Sequence, residues 1–116
     1  RIDYVDFKLR ISPKAESMKQ LIDIYNRRYS SLDIEIDNSI NDNDTAKLRE
    51  VAHSIKGLVG MMSAKYSWEI ARIIEKCAAD GKMDEAMTHI SELREHLAEI
   101  GDDLLLIQKF LNEQKA

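Results

Sequence analysis

Apolar side chains recur every three or four positions along most of this chain, the period of a helix with one buried face. The first run carries Met18, Leu21, Ile22, Tyr25, Tyr29, Leu32, Ile36 and Ile40. It opens at Ser12-Pro13, a capping serine followed by a proline where the missing N–H costs nothing, and closes at the polar turn cluster Asn41-Asp42-Asn43-Asp44. A second helix is predicted from about Asp44 to Ser63, with Leu48, Val51, Ala52, Ile55, Val59 and Met62 on one face. A third spans about Lys65 to Ala79 and stops before Gly81, placed as a C-terminal glycine. The fourth starts near Met83 and repeats Met83, Ala86, Met87, Ile90, Leu93, Leu97 and Ile100; Leu104, Ile107 and Leu111 keep its spacing, so it is predicted to continue past Gly101 to about Gln114 or to meet a neighbouring domain there.

Four amphipathic helices with short links predict an all-α fold, an antiparallel up-down-up-down four-helix bundle over residues 13–116. Residues 1–12 read differently. Val5, Phe7, Leu9 and Ile11 alternate with Asp6, Lys8 and Arg10, a strand-like period of two with no second strand to pair with, so an extended arm or short helix lying on the bundle is expected. Four glycines and one proline in 116 residues leave few turns for an all-β alternative.

Charge and composition narrow the function. A formal net charge of −4 argues against nucleic acid, whose phosphates are bound through excess Lys and Arg, and in favour of a protein partner. Cys77 is the single cysteine and lies in an apolar helical pattern, as expected of a buried thiol in a reducing, cytoplasmic compartment. The longest unbroken apolar run is Leu104 to Ile107, and no basic-then-apolar leader is read at the start, so no direct membrane contact is expected. A first residue of Arg1 rather than Met is expected of a domain cut from a longer polypeptide or trimmed at its end.

The candidate chemistry lies on the second helix. At about 100° per residue, His53, Gly57 and Gly60 fall together on the side opposite the apolar face, which places His53 towards solvent. Glycine in a helix interior costs roughly 0.5–1 kcal/mol relative to alanine, so two of them on an exposed face point to close approach by another surface. Lys56 three residues after His53 and Arg49 four before it can bring positive charge to whatever the imidazole holds. A nucleophilic histidine, a nearby lysine and a bare stretch of backbone describe a docking site for phosphoryl transfer.

The run Ala52-His53-Ser54-Ile55-Lys56-Gly57-Leu58-Val59-Gly60-Met61-Met62-Ser63-Ala64 resembles the His-x-x-Lys-Gly signature of histidine-containing phosphotransfer domains. Upstream, the long first helix and its Asn-Asp turn resemble that family's helix and Gly-Asp turn. Downstream, Ala71, Ile74-Glu75 and Ala78 align with its small residue, Leu-Glu pair and Ala, so the likeness covers about residues 13 to 100. Ser63 and Ser67 depart from it, standing where the family usually has Gly and Leu. The resemblance implies that His53 accepts a phosphoryl group on Nε2 from a receiver-domain aspartate and passes it to another response regulator. Lys56 would steady phosphate charge, Gly57 would let the partner approach, and Glu75 would accept a hydrogen bond from His53 Nδ1–H, fixing the tautomer. It also implies no cofactor for this domain, the Mg²⁺ being carried by the receiver, and a hybrid sensor kinase as the setting.

Around that centre Arg49, Glu50, Gly57, Leu58, Gly60, Met61 and Trp68 are expected to contact the receiver, with Met61 in an apolar rim and Trp68 as either an interface anchor or packing at the bundle end. His89 and His96 lie seven apart on the fourth helix with no third ligand beside them except carboxylates common on any surface, so no metal site is expected. There is no Gly-rich phosphate loop and no Ser-His-Asp set, so the domain is not expected to be an enzyme with its own ATP-kinase activity. The alternative is a structural or dimerising helical module that shares the bundle but not the chemistry.

Overall fold

The computed structural model describes Ile2 and residues 15–114. Four helices follow one another: α1 (Ala15–Asn41), α2 (Thr45–Met61), α3 (Lys65–Ala79) and α4 (Met83–Gln114). The expected Ser12-Pro13 start and all of the arm at residues 1–12 except Ile2 lie outside the described residues. Ile2 itself is partly buried against the core, its N–H 3.5 Å from Asp103 Oδ2 on α4.

All three links reverse the chain by the same device. At the end of α1, Asn43 N–H reaches the Ile40 carbonyl and Asp44 N–H the Ser39 carbonyl; after α2, Ser63 reaches Gly60 and Ala64 reaches Val59; after α3, Gly81 reaches Ala78 and Lys82 reaches Cys77. This paired closure needs one left-handed residue past each helix end. Asn43 (φ 48°), Ser63 (φ 54°) and Gly81 (φ 73°) occupy those positions. Asp44 then caps α2, its carboxylate accepting from Lys47 N–H at 3.0 Å. The second helix thus ends at Met61, two residues before the expected Ser63, because Ser63 is the left-handed residue of the turn.

Each helix packs on its two neighbours in a ring, α1 on α2, α2 on α3, α3 on α4 and α4 back on α1. The core is continuous from Ile22, Tyr25 and Ile36 on α1 through Leu48, Ile55 and Val59 on α2, Ala71 and Ile74 on α3, and Leu93, Ile100 and Leu104 on α4. Tyr25 brings a hydroxyl into that core and donates it to the Leu97 carbonyl at 2.8 Å. Across the same α1–α4 seam Arg94 reaches Asp33 at 2.9 Å and Asp37 at 2.7 Å; with Tyr25 meeting Leu97, later positions on α1 meet earlier ones on α4, so the two long helices run antiparallel. At 1.5 Å per residue α4 is about 48 Å long and α2 about 26 Å, so the far half of α4 reaches beyond the α2–α3 hairpin.

Two expectations about faces change. Met87, read on the apolar face of the fourth helix, is exposed, because α4 buries its Met83–Ala86–Ile90 edge in the core and leaves Met87 outside. Cys77 is partly rather than fully buried. No helix among the described residues is long and apolar enough to cross a membrane.

Candidate functional site

The site is built on the edge where α2 and α3 run antiparallel. The hairpin turns at Ala64, so positions equidistant from residue 64 face each other: His53 opposite Glu75, and Gly60 opposite Trp68. His53 projects from the middle of α2 with 69% of its side chain exposed. Its Nδ1 lies 3.1 Å from Glu75 Oε1. The carboxylate can only accept, so Nδ1 carries the proton and Nε2 is left with its lone pair available.

Glu75 is held from a second side. Lys56 Nζ lies 2.9 Å from Glu75 Oε2, a buried oxygen, so the lysine is what compensates it. Partial burial pushes the Glu75 carboxyl up, but the hydrogen bonds and charges of Lys56 and His53 outweigh it, and the group titrates below its ordinary value. Glu75 is therefore ionised at neutral pH and ties the nucleophile to the lysine. Lys56 sits on Glu75, with its ammonium 5.6 Å from the centre of the Trp68 ring.

The other residues expected at the site divide clearly. Arg49 and Glu50 are exposed and line an open groove with Thr45, His53, Glu75 and Ala78. Gly57 is exposed, and a Cβ built on it meets nothing within 4 Å, so the backbone beside His53 is bare. Met61 and Trp68 are also exposed, Trp68 less so at 37%. Leu58 is not at the surface: it is 5% exposed and belongs to the core, because α2 is flanked by both α1 and α3 and buries a wider arc than a single apolar stripe. Gly60 is partly exposed, and Trp68 of this same chain lies along one side of it, its Cδ1 3.6 Å from where a Cβ would stand.

Two basic residues escaped the sequence reading. Arg72 and Lys76 on α3 join Arg49 and Lys56 around a small depression beside Glu75, giving a locally basic rim on a chain of net negative charge. Arg72 and Lys76 are spaced i, i+4 on the flank that carries Glu75, which was the available signal. Arg72 is also bound to Glu69, whose carboxyl is held below its ordinary value by that hydrogen bond. On the far side of the bundle, His96 stands edge-on to Tyr66, near Glu92 and Glu99. Among the described residues no three His, Cys, Asp or Glu side chains come together as a metal site.

Among known proteins, no curated sequence and no solved structure matches this chain. The model of the Hpt domain family matches residues 15–103, from the first turn of α1 to the part of α4 that passes the hairpin. That match covers most of the 116 residues and contains the whole His53–Glu75–Lys56 arrangement, so the chain belongs to the Hpt domain family, the phosphotransfer carriers of two-component relays.

Proposed function

We propose that His53 is the phosphoacceptor of a phosphorelay. The Nε2 lone pair attacks the phosphorus of an aspartyl phosphate on a receiver domain. The N–P bond forms as the P–O bond to the aspartate breaks, and the carboxylate leaves with that electron pair. The reverse displacement, by the aspartate of another response regulator, returns Nε2 to its starting state. The observation that carries this reading is an exposed imidazole whose Nδ1 is tied to an ionised Glu75, which supports Nε2 as the nucleophile.

Positive charge accumulates on this nitrogen as the phosphoryl group arrives, and the Glu75 carboxylate stabilises it through Nδ1–H. Arg49 and the basic depression give the approaching anionic group a favourable field. The bare backbone at Gly57 admits the receiver's surface close to the ring. The Mg²⁺ that in-line transfer requires is assigned to the receiver, and this domain is assigned no cofactor of its own. The setting proposed is the cytoplasm, with a hybrid sensor kinase as one source of the donor receiver.

A second reading has one observation in its favour. Leu105, Leu106 and Phe110 form an exposed apolar stretch on the far half of α4, as a structural or dimerising module would present. Transfer from a phosphorylated receiver to the wild-type domain and to His53→Gln separates the two. The relay reading expects transfer to the wild type alone, and equal behaviour of both proteins would leave the structural reading standing.

A further inference from the structure

Resting on the phosphoacceptor reading, we infer that Trp68 is a positioning residue: its indole holds the Lys56 ammonium against Glu75, and through Glu75 it orients the ring of His53. Lys56 and Gly60 are one helical turn apart on α2, and Trp68 touches that turn at both ends. Its ring centre lies 5.6 Å from Lys56 Nζ, within range of a cation–π attraction, and its Cδ1 edge lies where a Cβ on Gly60 would make contact. The indole thus lies against α2 at Gly60 and closes one side of the space available to the lysine.

Two features make the location of that lysine matter. A lysine side chain has four rotatable bonds and samples many positions when unrestrained. Glu75 Oε2 is buried and depends on Lys56 for compensation, so a lysine that wanders leaves the carboxylate uncompensated and its hold on His53 Nδ1 loosened. The depressed titration of Glu75 agrees with this, since Lys56 is one of its two sources. Trp68 lies on the same flank of α3 as Glu75, two turns before it, so one helix edge presents both the clamp and the carboxylate.

The test uses the purified domain, with phosphoramidate as a small donor that needs no docking surface. Helix content is checked first by circular dichroism. Trp68→Ala is expected to slow phosphorylation of His53 about two- to fivefold, the worth of a partly exposed cation–π contact. It should also move the Glu75 titration, read by carboxyl carbon NMR, up towards its ordinary value. Trp68→Phe, which keeps a ring face for the ammonium, should restore most of both. Should Trp68→Ala fail to fold, Lys56→Met removes the cation under an intact indole and is expected to shift the same two readouts at least as far. The inference is overturned if a folded Trp68→Ala, or Lys56→Met in its place, leaves the phosphoramidate rate and the Glu75 titration unchanged. It is equally overturned if Trp68→Ala lowers only transfer from a receiver, which would make the indole a docking contact. A wild-type domain that reacts no better than His53→Gln would instead show the failure of the phosphoacceptor reading itself.

Discussion

Replacing Ser63 by glycine should stabilise the domain. Ser63 occupies the left-handed position of the α2–α3 turn at φ 54°, and the matching position after α3 is a glycine at φ 73°. Left-handed backbone costs a residue with a side chain roughly 1–2 kcal/mol. The serine hydroxyl is also buried without a hydrogen-bond partner, at a desolvation cost of about 1–3 kcal/mol. Against this, glycine gives the unfolded chain extra freedom worth about 0.4–1 kcal/mol. It also removes a buried methylene worth about 0.8 kcal/mol. The hydrogen bond from the residue-63 N–H to the Gly60 carbonyl survives in either residue. Taking the lower end of the favourable effects and the middle of the opposing entropy, the net is about 0.5 kcal/mol of stabilisation, seen as a rise in Tm of about 2 °C. In urea the midpoint should rise at unchanged slope. Ser63→Ala divides the effect, since it removes the hydroxyl but keeps the strained Cβ, and it should recover only the desolvation part. A Ser63→Gly protein that melts lower than the wild type would refute the reasoning.

Two further substitutions test the site from different directions. Gly57 has open space around its missing Cβ, so Gly57→Leu should strengthen the free helix by about 0.5–1 kcal/mol while slowing transfer from a phosphorylated receiver relative to phosphoramidate. Urea unfolding and the ratio of the two rates check this, and an unchanged ratio would mean that no partner surface approaches there. Glu75 titrates below its ordinary value of 4.5 in the folded protein, so its contribution to stability is present above about that pH and is lost as pH falls through the lower folded value. The stability gap between wild type and Glu75→Gln should therefore be widest near neutral pH and narrow in acid, and a gap that does not change with pH would show that the ion pair with Lys56 contributes nothing.

Much of this architecture was legible in the sequence because its punctuation is local. Asn43 and Gly81 tolerate left-handed backbone, and Asp44 caps the next helix, so three helix ends are written in single residues. Ser63 carries no such signal, and the end of α2 was placed two residues late. The exposure of His53 followed from helical phase alone. Leu58 was misplaced because phase does not say how many neighbours a helix has. With α1 and α3 both packed on it, α2 buries an arc of roughly 120°, and Leu58 falls just inside its edge. Gly60 and Trp68 were each singled out, yet their contact is a property of two helices. Counting outwards from Ala64 would have paired them, as it pairs His53 with Glu75.

The central claim, that His53 Nε2 is a reactive nucleophile set up by Glu75, is tested most directly by intact mass of the domain after incubation with phosphoramidate, beside His53→Gln. The account predicts a single phosphoryl adduct on the wild-type protein, absent from the variant and lost on brief exposure to acid, as a phosphohistidine would be. An adduct that survives acid, or one that forms equally on His53→Gln, would contradict it.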